Sequence, residues 1–307
     1  MESRQFDVVV VGEINPDLIL SGDVMPEFGQ VEKIVSQAVL TIGSSSAIFA
    51  CGASRLGLRV AYIGKVGSDL FGKFMRQSLD EYGIDTSGLV VDKQTPTGVS
   101  VILASGRDRA ILTYLGTIPL LEYSEINQDI IKKARHMHVG SYFIQETMRP
   151  ILPILFEQAH EWGLSVSLDP NYDPTGKWDG GLDKLLGNVD VFLPNAVECK
   201  GISGESNLDQ ALDYIQAKVK CLGVKLGGKG AILVQGAKKY SCEPIDVMVI
   251  DTVGAGDSFD AGFIYGYLAG WDSMRILKLA NICGGLSTRQ AGGTTAQPTI
   301  DEAIRFL

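Results

Sequence analysis

Residues 249–270 read VIDTVGAGDSFDAGFIYGYLAG. An apolar run reaches Asp251, passes through Gly254-Ala255-Gly256 and enters an amphipathic helix whose first turn carries Asp257 and Ser258. Small residues at such a turn let successive backbone N–H groups converge, and the helix N-terminus adds partial positive charge. A phosphate can therefore sit there without a lysine. Asp257, at the same end, could accept the proton of an alcohol attacking a γ-phosphoryl group. A purely local reading competes: the glycines make a tight strand-to-helix turn and Asp257 caps the helix. Spacing alone leaves both open.

A second glycine-rich stretch, Gly223-Val224-Lys225-Leu226-Gly227-Gly228-Lys229, has the GxxxxGK spacing of a P-loop, but Gly230 stands where that loop needs a Mg²⁺-binding Ser or Thr. A P-loop NTPase is therefore rejected. Of the three histidines, His136 and His138 stand two apart entering a strand and are read as pointing to opposite faces, which argues against a shared metal site; His138 reads as a structural histidine or as a ligand contact at the sheet's substrate end. Asp69 reads as a cap for a following helix or as a substrate contact, and Arg109 as an exposed turn charge or a group that reaches ligand. The five cysteines, at 51, 199, 221, 242 and 283, form no CxxC pair and are read as reduced thiols.

These residues need a scaffold. Short apolar, β-branched runs at 7–11, 138–141, 166–169, 191–193 and 231–234 suit strands buried on both faces. Helical patterns fall at 44–56, 70–82, 127–134, 149–162, 208–217, 258–268 and 274–290, several ending near glycine. The alternation predicts an α/β fold with a mostly parallel central sheet covered by helices, whose ligands bind at the carboxyl ends of the strands. Segments 18–42 and 97–117 break the rhythm. In the second, GVSVILAS and AILTYLG flank the polar turn GRDR like a hairpin. Together they are read as a small β-sheet lid on a single domain spanning 1–307, against the alternative of an edge hairpin of the main sheet.

Composition narrows the function classes. With 45% hydrophobic and 21% charged residues the 307-residue chain is globular rather than disordered. A formal net charge of -9 argues against nucleic-acid binding, while a local pocket for phosphates remains compatible with it. The opening MESRQFDVVVVGEINPD has neither a basic leader nor an apolar run long enough to span a membrane, so the expectation is a cytoplasmic protein with no membrane partner.

At GAGDSFDAGF, residues 254–263, the sequence resembles the signature of the ribokinase-like, or PfkB-type, carbohydrate kinases, and the resemblance runs along nearly the whole chain. It implies a ribokinase-like three-layer sandwich with a β-sheet lid. GEINPDLI at 12–19 is similar to the family's first substrate loop, implying Asn15 and Asp17 as ligands of sugar hydroxyls. GSSSAIFACGASRLG at 43–57 resembles its glycine-rich substrate motif, implying Gly43, Ser44 and Ser45. LDPNYDPTGKW and LPNAVE resemble the strand ends facing nucleotide phosphates and Mg²⁺, implying Asn171, Asn195 and, through water, Glu198. KLGGKGA at 225–231 is similar to the nucleotide loop, implying Lys225, Gly227 and Gly230; LKLANICGGLSTRQAGG implies Asn281 beside adenine and Gly292-Gly293 near a monovalent-cation site. That cation, K⁺, would also use the backbone around Asp251 and Val253.

Two departures stand out. Gly43-Ser44-Ser45-Ser46 replaces a double glycine and a following asparagine, and Asp173 stands where relatives have an arginine, leaving Lys177, Lys225 or Arg109 to supply that cation. The resemblance implies ATP- and Mg²⁺-dependent phosphorylation of a primary hydroxyl on a sugar or sugar derivative, Asp257 being the base and Gly254, Ala255 and Gly256 the anion hole. A nucleoside kinase, with Phe49, Tyr114 or Phe143 against a purine, and a non-catalytic metabolite or nucleotide sensor are the alternatives. An exposed lid face would invite a homodimer.

Overall fold

A computed structural model describes residues 4–105 and 108–307; residues 1–3 and two positions of the predicted GRDR turn, 106 and 107, lie outside the described residues. The chain opens with β1 (Phe6–Val11), β2 (Pro16–Ser21) and β3 (Gln37–Ile42), then α1 (Ser45–Arg55), β4 (Val60–Gly67), α2 (Leu70–Glu81) and β5 (Asp85–Asp92). Next come β6 (Val99–Ser105), β7 (Asp108–Tyr114), α3 (Gln128–Lys132), β8 (Ala134–Val139), α4 (Leu152–Glu161), β9 (Ser165–Leu168), α5 (Leu182–Leu185) and β10 (Val191–Phe192). Then follow α6 (Ala196–Ser203), α7 (Leu208–Gln216), β11 (Cys221–Lys225), β12 (Ala231–Gln235), β13 (Lys238–Cys242), α8 (Ala255–Leu268), α9 (Ser273–Ser287) and α10 (Ile300–Ile304).

Nine strands form one sheet in the order β13-β12-β11-β10-β9-β8-β1-β4-β5, parallel except for the pairs β11–β12 and β12–β13. The tetravaline of β1 explains itself at the centre: Val9 and Val11 pack into one core layer with α4 and α7, Val8 and Val10 into the other with α1, α8 and α9. Both faces of the strand are buried, so period-two alternation gives way to a continuous apolar run.

A separate four-stranded sheet, β3-β2-β6-β7, is built from the two segments that break the α/β rhythm. This excludes the alternative of an edge hairpin on the main sheet. Its pairing puts Asp17, Ser100 and Thr113 on one face. Leu18, Leu40, Val101 and Leu112 lie on the other, with Leu40 40% and Leu112 60% exposed.

Two expectations are corrected. The strand placed at 138–141 runs earlier, over Ala134–Val139, and Ser141 adopts left-handed backbone instead. His136 and His138 share one face, as residues two apart on a strand must. Both contact the Ser167 hydroxyl, at 2.7 and 2.8 Å, and His138 stacks on Phe49. Burial holds both imidazoles down to about 3, so they remain neutral structural groups. The P-loop spacing at 223–230 leads into an antiparallel strand, not a helix, in keeping with its rejection. Among the described residues all five cysteines are free, and no helix is long and apolar enough to cross a membrane.

Candidate active site

The strand ends converge as the parallel sheet requires. β1 runs out to Glu13 and Asn15, β8 to Ser141, β9 to Asp169 and Asn171, β10 to Asn195, and β11 ends on Lys225; all seven residues line one cavity of about 760 Å³. The small sheet closes it with Asp17, Ser100, Ile102, Ile111 and Thr113, and the N-terminus of α8 with Gly254, Ala255, Gly256 and Asp257. Ser44, Ser45, Glu198, Gly227, Gly230, Val253 and Asn281 also line it, so the structure brings most of the predicted set together. Gly43 and Asp251 stand just behind the lining. A Cβ at Gly43 would lie 2.1 Å from the Asp17 carboxylate, so only glycine lets that acid fold down there.

Gly254 starts α8 with φ +70°, and a Cβ there would come within 2.7 Å of the Gly293 backbone. Glycine is thus needed twice over, for its conformation and for the close approach of two loops. The Asp251 carboxylate ties those loops together, accepting from the backbone N–H of Val253 at 3.0 Å and of Gly292 at 2.9 Å. Arg109, from β7, reaches across to Asp251 at 3.7 Å and to the Thr252 hydroxyl at 3.4 Å.

Charges dominate the floor. The Lys225 ammonium lies 2.9 Å from Asp169 and 3.1 Å from both oxygens of Asp260, which projects from the first turns of α8 beside Asp257. Burial and the neighbouring Asp169 charge push Asp257 up to about 8 against the pull of Lys225. Burial and Asp169 likewise push Glu198 up to about 7, and burial raises Asp17 to about 7 against the charge of Arg109. Asn195 caps α6, and its backbone N–H donates to Glu198 at 2.8 Å, which orients that carboxylate at the cavity wall. Asn281 instead turns its amide to the Glu243 carbonyl, at 2.7 Å, pinning the segment after β13.

Sequence reasoning missed Glu13. It is buried, accepts from the Ser46 backbone N–H and hydroxyl at 3.1 and 2.6 Å, and takes the Ser44 hydroxyl on its carbonyl at 2.7 Å. The serines at 44 and 46 are therefore consumed in holding a buried acid, whereas Ser45 accepts from Asn171 at 2.8 Å. Ser44, Ser141 and Asn171 all carry positive φ, a cluster of local backbone strain at the cavity. Also missed were Asp169, Asp260 and the wall formed by Pro244, Ile245, Asp246 and Val247. Asp173 faces its own loop, accepting from the backbone N–H of Thr175 and Trp178, so it neither replaces nor opposes a cation at the floor. Asp69 caps α2 and holds Thr97, and it does not line the cavity. None of Phe49, Tyr114 and Phe143 lines the cavity, which removes the aromatic slot suggested for a purine.

A parallel sheet with its polar strand ends, a glycine-rich helix start and a smaller covering sheet define a phosphotransferase of the ribokinase-like class. Residues 5–300 match the description of the pfkB family carbohydrate kinases, and the chain belongs to that family. It is an ATP-dependent carbohydrate kinase by that membership. It is 31% identical to the ATP-dependent ribose-1-phosphate kinase of Halopiger xanaduensis, over 98% of this chain and 97% of the relative. Among the similar solved structures, two at 25% identity carry bound nucleotide. One is a provisionally named ribokinase II from E. coli in complex with ATP and Mg²⁺, with TM-score 0.88 and 98% of both chains covered. The other is a fructokinase double mutant from Vibrio cholerae O395 bound to fructose, ADP and potassium, with TM-score 0.83 and 100% of both chains covered.

Proposed function

We propose that the chain transfers the γ-phosphoryl group of ATP to a primary hydroxyl of a sugar or sugar derivative, with Asp257 as the base. The observation that carries this is that Asp257, at the start of α8, lines one cavity together with the Gly254–Gly256 turn and with Asn15, Asp17 and Ser100. The acceptor O–H proton passes to the Asp257 carboxylate, the oxygen bonds to the γ-phosphorus, and the bond to the β-phosphate oxygen breaks to leave ADP. Backbone N–H groups of the turn stabilise charge on the equatorial oxygens.

Asn15 and Asp17, backed by Gly43, Ser44 and Ser45, hold the acceptor. Asp17 is buried and faces the cavity, a position in which a carboxylate gains from donated sugar hydroxyls. Asn171, Asn195, Lys225, Gly227, Gly230 and Asn281 frame the nucleotide. Glu198 fits a divalent ion held through water, because a buried acid beside Asp169 is short of positive charge. A Mg²⁺ ion held there would supply charge neutralisation to the transferring phosphoryl group. The backbone at Asp251 and Val253 is assigned to a monovalent cation, K⁺, in keeping with the potassium in the fructokinase neighbour. A second copy of the chain covers the apolar outer face of the small sheet, which then serves as both lid and dimer contact.

The test is ADP release by the purified protein with Mg²⁺ and ATP across ketoses, pentoses, sugar acids, sugar phosphates and nucleosides, with and without K⁺. Turnover that depends on a sugar-type acceptor supports the reading. Turnover with nucleosides alone, or none despite nucleotide binding, overturns it in favour of a nucleoside kinase or a sensor.

A further inference from the structure

Asp169, Asp257 and Asp260 present carboxylate oxygens within 4.8 Å of one another, all from buried residues. Such a trio is the donor set of a metal site, yet the cation that meets it belongs to the chain. Lys225 enters from the end of β11 with its side chain only 13% exposed and spans Asp169, just after β9, and Asp260 on α8. Its stem passes under the anion-binding turn, with Cδ and Nζ each 3.6 Å from where a Cβ on Gly256 would sit. The other two cations weighed for this place lie elsewhere. Lys177 is exposed and off the cavity, and Arg109 reaches Asp251 and Thr252 at its far side.

We propose that Lys225 is the built-in cation of the phosphoryl-transfer centre, seated between Asp169 and Asp260 where a metal ion would otherwise go, and that it positions Asp257 as a usable base. This rests on the kinase reading above. The groups facing Asp257 are Asp169 from β9, Glu13 after β1, Lys225 from β11, Asp260 one turn on in α8, and the Ser45 hydroxyl. Lys225 is the one positive charge among them, and Asp169 and Glu13 disfavour ionisation of Asp257. The base can give up its proton near neutral pH only while that single charge is present. The lysine takes the part left open by Asp173, but from a different strand.

The experiment compares wild type, Lys225→Met and Lys225→Arg in the pH dependence of kcat/KM for the acceptor, with binding of a non-hydrolysable MgATP analogue measured separately. Lys225→Met is expected to lower kcat on the order of 10²-fold, like the loss of one transition-state donor. Its acid limb should move to higher pH by about one unit, a displacement worth a factor of about ten at a fixed pH below it. Lys225→Arg, which keeps the charge, should return the limb to the wild-type position. Should Lys225→Met not fold, the double variant Lys225→Met/Asp260→Asn removes one of the two buried carboxylates left unmatched and should show the same slow transfer and raised limb. An unmoved limb, equal limbs for Met and Arg, or wild-type kcat in the double variant would overturn the proposal while leaving the kinase standing. A wild-type protein inactive on every acceptor, with nucleotide bound, would instead remove the reading beneath it.

Discussion

Gly254→Ala separates what the turn owes to backbone fit from what it owes to glycine in general. At φ +70° a side chain costs about 1–2 kcal/mol in left-handed backbone. The new Cβ would also meet Gly293 Cα and O at 2.7 Å and Ile48 Cγ2 at 2.9 Å, and the first two are main-chain atoms that no rotamer change can move. Displacing them adds about 1–3 kcal/mol, the usual range for overpacking. The total of about 2–5 kcal/mol corresponds to a drop in Tm of roughly 3–8 °C for a chain of this size. Gly236→Ala is the control, since that glycine has φ +57° with nothing within 4 Å and should lose only the conformational part. Scanning calorimetry of both variants reads the difference. Steady-state assays should show kcat for Gly254→Ala down about 10²–10³-fold, because the turn's N–H groups no longer converge on the phosphoryl oxygens. If Gly254→Ala melts with Gly236→Ala, or keeps wild-type kcat at a lower Tm, the reasoning about this turn is wrong.

The buried acids also set a direction for stability. Asp17, Glu198 and Asp257, raised to about 7, 7 and 8, hold protons in the folded state that the unfolded chain has already lost above about pH 4. The contribution is therefore full at low pH and is lost as pH climbs through the folded values, so the ligand-free protein should melt lower at pH 8 than at pH 6. A higher Tm at pH 8 would contradict the burial argument. Leu112→Glu, on the 60% exposed outer face of the small sheet, should convert dimer to monomer in sedimentation velocity; a wild-type protein that is already monomeric refutes the proposed contact.

The sequence carried the turn at 254–257 because its chemistry is local: donors, glycines and acid occupy four consecutive positions. The strand-end asparagines were legible only through the resemblance of GEINPDLI, LDPNYDPTGKW and LPNAVE to the family's motifs. Asp169, Lys225 and Asp260 were not read as a unit, being 56 and 35 residues apart and joined only by the order in which strands enter the sheet. A signal did exist, in that Asp169 and Lys225 each close a buried strand with a charge. Glu13 was overlooked between Gly12 and the ligand position Asn15, and the serines at 44 and 46 made sense only once that buried acid appeared behind them. The wall at 244–247 has no periodicity to read. Strand β4 is broken by glycines in its pattern, and Gly64 there is required because a Cβ would lie 2.8 Å from the Gly12 carbonyl.

The most direct test of the account is Asp257→Asn, a change that keeps the side chain's volume and removes its ability to accept a proton from the acceptor hydroxyl. MgATP binding measured by calorimetry should remain within a few-fold of wild type. Acceptor-dependent ADP release should fall about 10²–10⁴-fold, the range for loss of a general base. Turnover equal to wild type, with the variant folded and its nucleotide affinity unchanged, would contradict the assignment of Asp257 and with it the mechanism.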